Sequence, residues 1–329
     1  FQKTYAQGSG GVFSTTSGTS WGPKISELPN DATYGGNTDN EYTQKFGKQQ
    51  GKYYVPQRAA AGLDPWATPQ AYDNAKDFFD TGITWSNSLN VAQMLDKSSY
   101  SISLGNTHQD GIISSTGMDR YNVKVSADTK LTNNWSSGFT ANYITTSIDK
   151  AVTSGNGLLR TVYAAPPSYD LAGIPSHVDG NPYTQNSFRG SFDNAYWAME
   201  NNKFTEDTNR FFGNVYASYQ TDFGTTNHKL NAKYMVGVDA YTTHYVDSYG
   251  YGSNTGGGRG QIENYGWTNA TYNSLLTINY DWHINEDWGL NAVLGNEIIQ
   301  SNRKKYYEYG TNYNFPGWNH INNATTQQT

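Results

Sequence analysis

Between Asp119 and Tyr143 the sequence alternates with a period of two. Tyr121, Val123, Val125, Ala127, Thr129 and Leu131 share one parity, and Arg120, Asn122, Lys124, Ser126, Asp128 and Lys130 the other. Successive side chains of a strand point to opposite faces, so this run has one apolar face and one polar or charged face. After Thr132, Asn133 and Asn134 the pattern resumes, with Trp135, Ser137, Phe139, Ala141 and Tyr143 against Ser136, Gly138, Thr140 and Asn142. Two such runs around a short polar turn predict a β-hairpin. Each is close to the roughly 9–11 residues that a tilted strand needs to cross a bilayer. Aromatics stand near the ends of the apolar face and small or branched residues between them, as on a lipid-facing strand with interfacial girdles.

The same alternation recurs along the chain. Asn87, Leu89 and Val91 precede a turn at Leu95–Ser98, followed by Tyr100, Ile102 and Leu104. Phe211 to Phe223 and Leu230 to Ala240 form a second hairpin around 224–227. Ala270 to Ile284 and Trp288 to Ile298 form a third around Asn285–Asp287. That gives about eight strands. Between them lie long segments without regular alternation: 106–118, 147–209, 241–269, and a polar tail from Gln300. Residues 1–82 lack sustained alternation and read as a strand end with a long, partly ordered loop region. Within them a helix is expected over Ala71–Phe79, capped by Thr68 with Pro69 in its first turn. Residues 83–329 then hold the barrel strands and their loops.

Composition narrows the chain to two architectures. Charged residues are only 15% of the 329, against about a quarter in ordinary soluble domains, while aromatics also reach 15%, with 27 Tyr. Mean hydropathy is −0.74. Strands greasy on one side and joined by long polar loops produce such a balance. A secreted β-sandwich or solenoid has similar composition. Loop length decides between them: short turns alternate with long connections, so one rim is tight and the other carries large loops, as in bacterial outer-membrane barrels. No apolar run is long enough for a transmembrane helix, which leaves a barrel untouched. The reading is therefore all-β: a segment of an antiparallel transmembrane β-barrel, with short periplasmic turns and long extracellular loops. The polar tail and oversized loops point to a piece of a larger barrel, whose open edges pair with the remainder of the same barrel. A start at Phe1, without initiator Met or signal peptide, fits a mature, cleaved or truncated product.

Tyr5–Gly11 (YAQGSGG), Ser20–Lys24 (SWGPK), Gly62–Gly82 (GLDPWATPQAYDNAKDFFDTG) and Tyr100–Asp128, with Gly111-Ile112-Ile113 and Arg120-Tyr121-Asn122, carry a family resemblance. In order and spacing they resemble the early barrel of SusC/RagA-family TonB-dependent transporters. The resemblance runs through most of residues 1–300. It implies a barrel of about 22 strands around a plug, import of glycans or peptides across a Bacteroidetes-type outer membrane, a SusD-like surface lipoprotein as lid, and TonB as the energy source. The plug, the TonB-contact motif and the closing strands have no counterpart here, so the chain matches the front part of such a barrel.

Other chemistry finds little support. With no Cys there is neither a disulfide framework nor a thiolate. A net charge of −6 without a basic tract argues against nucleic acid. Gly256–Gly260 (GGGRG) lacks the Lys-Ser/Thr of a phosphate loop. The six His are scattered without zinc spacing, and no nucleophile-elbow pattern appears. Asp31, Asp39 and Glu41 read as a solvated loop rather than a calcium site. His177 with Asp179 is the weak remnant of a barrel-hydrolase reading. No cofactor, metal or catalytic residue is expected, and the protein reads as a non-enzyme. Substrate- or lid-contacting candidates are loop aromatics able to stack on sugars or grip peptides: Trp66, Tyr72, Trp197, Tyr249, Tyr251 and Trp318. For any one of them, packing of loops against each other or against a lid partner is the simpler explanation. Arg120, Lys124, Asp128, Lys229 and Lys233 are expected to line a wet lumen. A surface adhesin on a β-scaffold is the alternative to a transporter.

Overall fold

The computed structural model describes residues 2–152 and 157–328. Among them, nine strands form one antiparallel sheet in simple sequential order. They are β1 (Thr84–Met94), β2 (Ser98–Asp110), β3 (Gly117–Lys130), β4 (Trp135–Asp149), β5 (Lys203–Thr221), β6 (His228–Tyr249), β7 (Gln261–His283), β8 (Gly289–Tyr313) and β9 (Ala324–Gln328). The eight strands legible in the alternation are β1–β8, and β9 adds a short ninth on the far edge.

The register lines up the expected apolar face across the sheet. Leu89, Leu104, Val123, Tyr143, Phe211, Ala240 and Ala270 form one cross-strand row. Tyr100, Ala127, Phe139, Val215, Val236, Ser274 and Ile298 form another. None of the described residues covers this face: Leu89 is 58% exposed and Ile298 61%. A β-sandwich would seal it against a second sheet. Among the described residues every other sheet is a pair of short strands, so the sandwich reading is excluded. An open apolar face of this extent needs a hydrocarbon solvent. The opposite face is polar, with Ser103, Lys124, Asn142, Asp239, Thr271 and Ser301 around Phe212 in one row.

The expected loop segments are shorter than the alternation suggests. The ladder continues to Tyr249 and restarts at Gln261, so 241–269 narrows to 250–260. The tail from Gln300 is mostly strand, since β8 is paired to Tyr313. The segment 106–118 narrows to 111–116, and 147–209 loses both ends to β4 and β5. The reason lies in the outer face. Above the row of Leu89 and Phe211 it carries Asn87, Asn106, Tyr121, Thr145, Asn209 and Thr242, then His108, Asp119, Ser147, Asp207 and His244. Beyond the bilayer both faces meet water, so period two fades while backbone pairing continues. Strand length grows from 11 residues in β1 to 25 in β8. At about 3.4 Å per residue, β8 far outreaches a membrane crossing.

The short turns (95–97, 131–134, 222–227, 284–288) lie at one end and the longer connections at the other. Residues 2–82 supply no strand to the large sheet. They form α1 (Glu41–Phe46), α2 (Pro56–Ala60), α3 (Asn74–Phe78) and small strand pairs. These pack with α4 (Leu158–Ala164) and α5 (Ala195–Asn201) around a core containing Leu28, Tyr53, Val162, Leu171, Phe188 and Trp197. The helix expected over Ala71–Phe79 is only α3, and Asp73, without a side-chain cap, precedes it. Tertiary bonds set that start: the Tyr72 amide donates to the Pro167 carbonyl at 2.8 Å. The Asn74 amide group donates to the carbonyls of Pro166 and Tyr169 and accepts from the Leu171 N–H.

Candidate functional site

The long-loop end holds the groups that chemistry could use, and two sets of elements build it. The loop layer comes first. Tyr53 donates its hydroxyl to the Ser168 carbonyl at 2.9 Å, and Gln7 Nε2 donates to Phe188 O at 2.8 Å, so segments far apart in sequence are locked together. Burial pushes the phenols of Tyr53 and Tyr169 upward, so both remain neutral. Asp193, buried, accepts from Gln185 Nε2 (2.7 Å), Ser253 Oγ (2.6 Å) and the Asn254 N–H (2.7 Å). This carboxylate ties the Gly-rich 250–260 connection to the layer. Gly252 has φ of 101°, and a Cβ there would run into the Tyr183 carbonyl. The glycines thus serve a tight loop, in line with the absence of a phosphate-loop signature. Asp193 and Gln185 carry no sequence signal, because only folding makes them neighbours.

The second set is the polar face of the sheet. Arg120, Lys124 and Asp128 on β3 and Lys229 and Lys233 on β6 all lie on it by register. Arg210 makes a two-pronged bond to Asp239, at 2.8 and 2.6 Å. Lys233 lies 4.2 Å from the ring centre of Tyr216, whose hydroxyl donates to Asp128 at 2.6 Å. Higher up, Tyr245 and Tyr265 stack at 4.8 Å, and Trp267 lies beside them under the Arg303 guanidinium. Burial, with a hydrogen bond to Asp247, pushes Tyr265 up to about 12. Lys150 pairs with Glu206 at 3.4 Å and covers Tyr245. This upper wall is a strip of aromatic and charged groups that the alternation pattern did not single out.

The structure separates the six candidate aromatics. Trp197 has no exposed surface, and its indole N–H donates to Pro182 O at 2.9 Å. Trp66 is buried edge-on to Tyr54. Tyr72 is half-buried, its hydroxyl accepting from Gln70 at 2.6 Å. Tyr249 packs edge-on against Phe204, and Tyr251 against a small core of Ile262, Tyr313 and Ala324. Only Trp318 of the six presents an open ring, 44% exposed and stacked between Phe315 and His320. Beneath it Asn323 donates to the carbonyls of Phe315 and Trp318, which fixes the turn.

The weaker candidates do not converge. Asp31 accepts from the Thr33 and Tyr34 amides in a turn, and Asp39 pairs with Lys48 at 3.0 Å. Asp179 lies in the tight turn that follows the short strand of His177, and the His177 Nδ1 is buried without a partner. Among the described residues no three His, Asp or Glu side chains gather as a metal site would require.

Comparison with protein-family models and with curated proteins gives no match. Solved structures do match. The fold is shared with the RagAB peptide transporter. One RagAB structure aligns with a TM-score of 0.61 and 16% identity, covering 78% of this chain and 28% of that one. The RagAB importer in its closed-closed state aligns at 0.59 and 16%, covering 79% and 29%. The open-open state aligns at 0.58 and 14%, again covering 79% and 29%. This chain therefore spans less than a third of those chains. At such identity the likeness establishes the fold: an antiparallel β-barrel segment of RagA type, as the sequence resemblance implied.

Proposed function

We propose that this chain forms part of the wall and several outer loops of a TonB-dependent outer-membrane transporter, a non-enzyme that imports oligomeric nutrients, glycan or peptide. The observation that carries this reading is the uncovered apolar face, in register across the sheet, backed by a polar face and by loops enlarged at one end only. The likeness to RagAB supports it. The remainder of the barrel and its plug would close the sheet, outer-membrane lipid would wet the apolar face, and TonB would supply energy. A SusD-like lipoprotein would sit over the loop layer, where Trp318 offers the most accessible of the candidate rings. The experiment is uptake of labelled peptides and oligosaccharides by cells carrying or lacking the gene, each with and without TonB. Gene- and TonB-dependent accumulation of one oligomer class is expected. Surface binding that persists without TonB, with no accumulation, would instead identify an adhesin.

A further inference from the structure

Two guanidinium groups lie over the ring of Phe192, Arg189 at 3.8 Å and Arg160 at 4.6 Å from its centre. Arg189 also reaches the wholly buried Phe188 at 5.4 Å. Arg210 and Lys150 meet carboxylates, those of Asp239 and Glu206. Arg189 does not. Among the described residues no carboxylate pairs with it, and its Nε is buried without an acceptor. Among the described residues its only side-chain hydrogen bond is a long one, 3.4 Å, from Nη2 to the Arg160 carbonyl. Burial and the neighbouring Arg160 both disfavour its charge. A guanidinium cannot shed its proton, so an entering anion would relieve that unfavourable field. Ring contacts relieve part of it and hold the plane of the fork.

We propose that Arg189, supported by Arg160 and Phe192, is a carboxylate-binding site for the oligomer that this protein takes up. The planar fork matches a carboxylate with two parallel hydrogen bonds. Its half-buried position beside Phe192 suits a group on a thin, flexible chain better than a folded partner's surface. The site rests on the transporter reading. An acidic peptide and a uronate-bearing glycan both present this chemistry.

The test uses the native outer-membrane protein in detergent, with calorimetric titration of tetraglutamate, its uncharged tetraglutamine analogue, oligogalacturonate and the methyl ester of the latter. At least one acid is expected to bind about tenfold or more tightly than its neutral counterpart, with the difference shrinking in high salt. Arg189→Gln should erase that difference and leave the neutral affinity unchanged. Arg189→Lys, which keeps charge but loses the fork, should retain only part of it, and it carries the test if the Gln variant fails to assemble. Equal binding of acid and neutral forms, or a full preference in Arg189→Gln, overturns the site. TonB-dependent uptake of neutral oligomers by the same variants reports on the transporter reading separately.

Discussion

The sheet and the loop layer solve the burial of apolar surface in opposite ways. In the loop layer Trp197, Phe188 and Leu28 are closed off from solvent, and Asn74, Asn186 and Asn194 beside them hydrogen-bond to the backbone as in a soluble domain. In the sheet the apolar side chains stand open on one face and the polar ones on the other. One region carries its own interior, and the other borrows hydrocarbon from outside. Order in the first thus depends on packing, and order in the second on the solvent it meets.

Trp197→Ala gives the largest expected effect, about 3–5 kcal/mol against the loop layer from lost burial and a cavity. Amide exchange should quicken over 157–201 while the centres of β3 and β4 stay protected; equal loss in both would dissolve the distinction. Next comes Ile102→Arg, in the middle of the apolar face, at about 2–4 kcal/mol for a charge near the bilayer midplane. Ser103→Arg, one residue along and on the wet face, should assemble normally in a heat-modifiability assay. If the two behave alike, the faces are misassigned. Asp193→Ala leaves Ser253 Oγ and the Asn254 N–H unanswered, with Gln185 Nε2 keeping only the Gly252 carbonyl, and should cost about 1–3 kcal/mol, read as protease cleavage within 250–260. Trp318→Ala should change stability by less than about 1 kcal/mol, because the ring is nearly half exposed and only stacks on Phe315 and His320, while weakening the lid or oligomer capture proposed for it.

The smallest effect concerns His108, above the apolar band, with Nδ1 2.7 Å from Asp119 and Nε2 3.3 Å from Asp110. The Asp119 hydrogen bond, foremost, raises its pKa above 6.5. A raised pKa in the folded state means the contribution is complete below about 6.5 and fades as pH rises through the folded value. Protection of amides 110–117 should decline across that window in wild type and decline much less in Asp119→Asn, where only the weaker Asp110 contact remains.

Much of the fold was legible. Tyr121 to Leu131 declared both faces of β3, and the turns at 95–98 and 285–287 declared hairpins, because a membrane strand must answer two solvents at every second residue. The upper halves of β6, β7 and β8 were not legible, since His244, Asn264 and Lys304 lie where both faces are wet and no parity is enforced. The site was less legible still. Trp66 and Trp197 look like loop aromatics in sequence, yet they are interior residues of the loop layer. Arg189 and Arg160 are separated along the chain, and only the fold brings both over Phe192.

By itself, the sequence determined that this chain is built of paired strands with one hydrocarbon-facing side, because period two is a local property of each strand. The tertiary structure decided how far those strands climb beyond the bilayer, which aromatics are interior and which charges lack partners. These depend on long-range hydrogen bonds and on burial between segments more than a hundred residues apart, such as Gln7 with Phe188 and Tyr53 with Ser168, which no local pattern encodes.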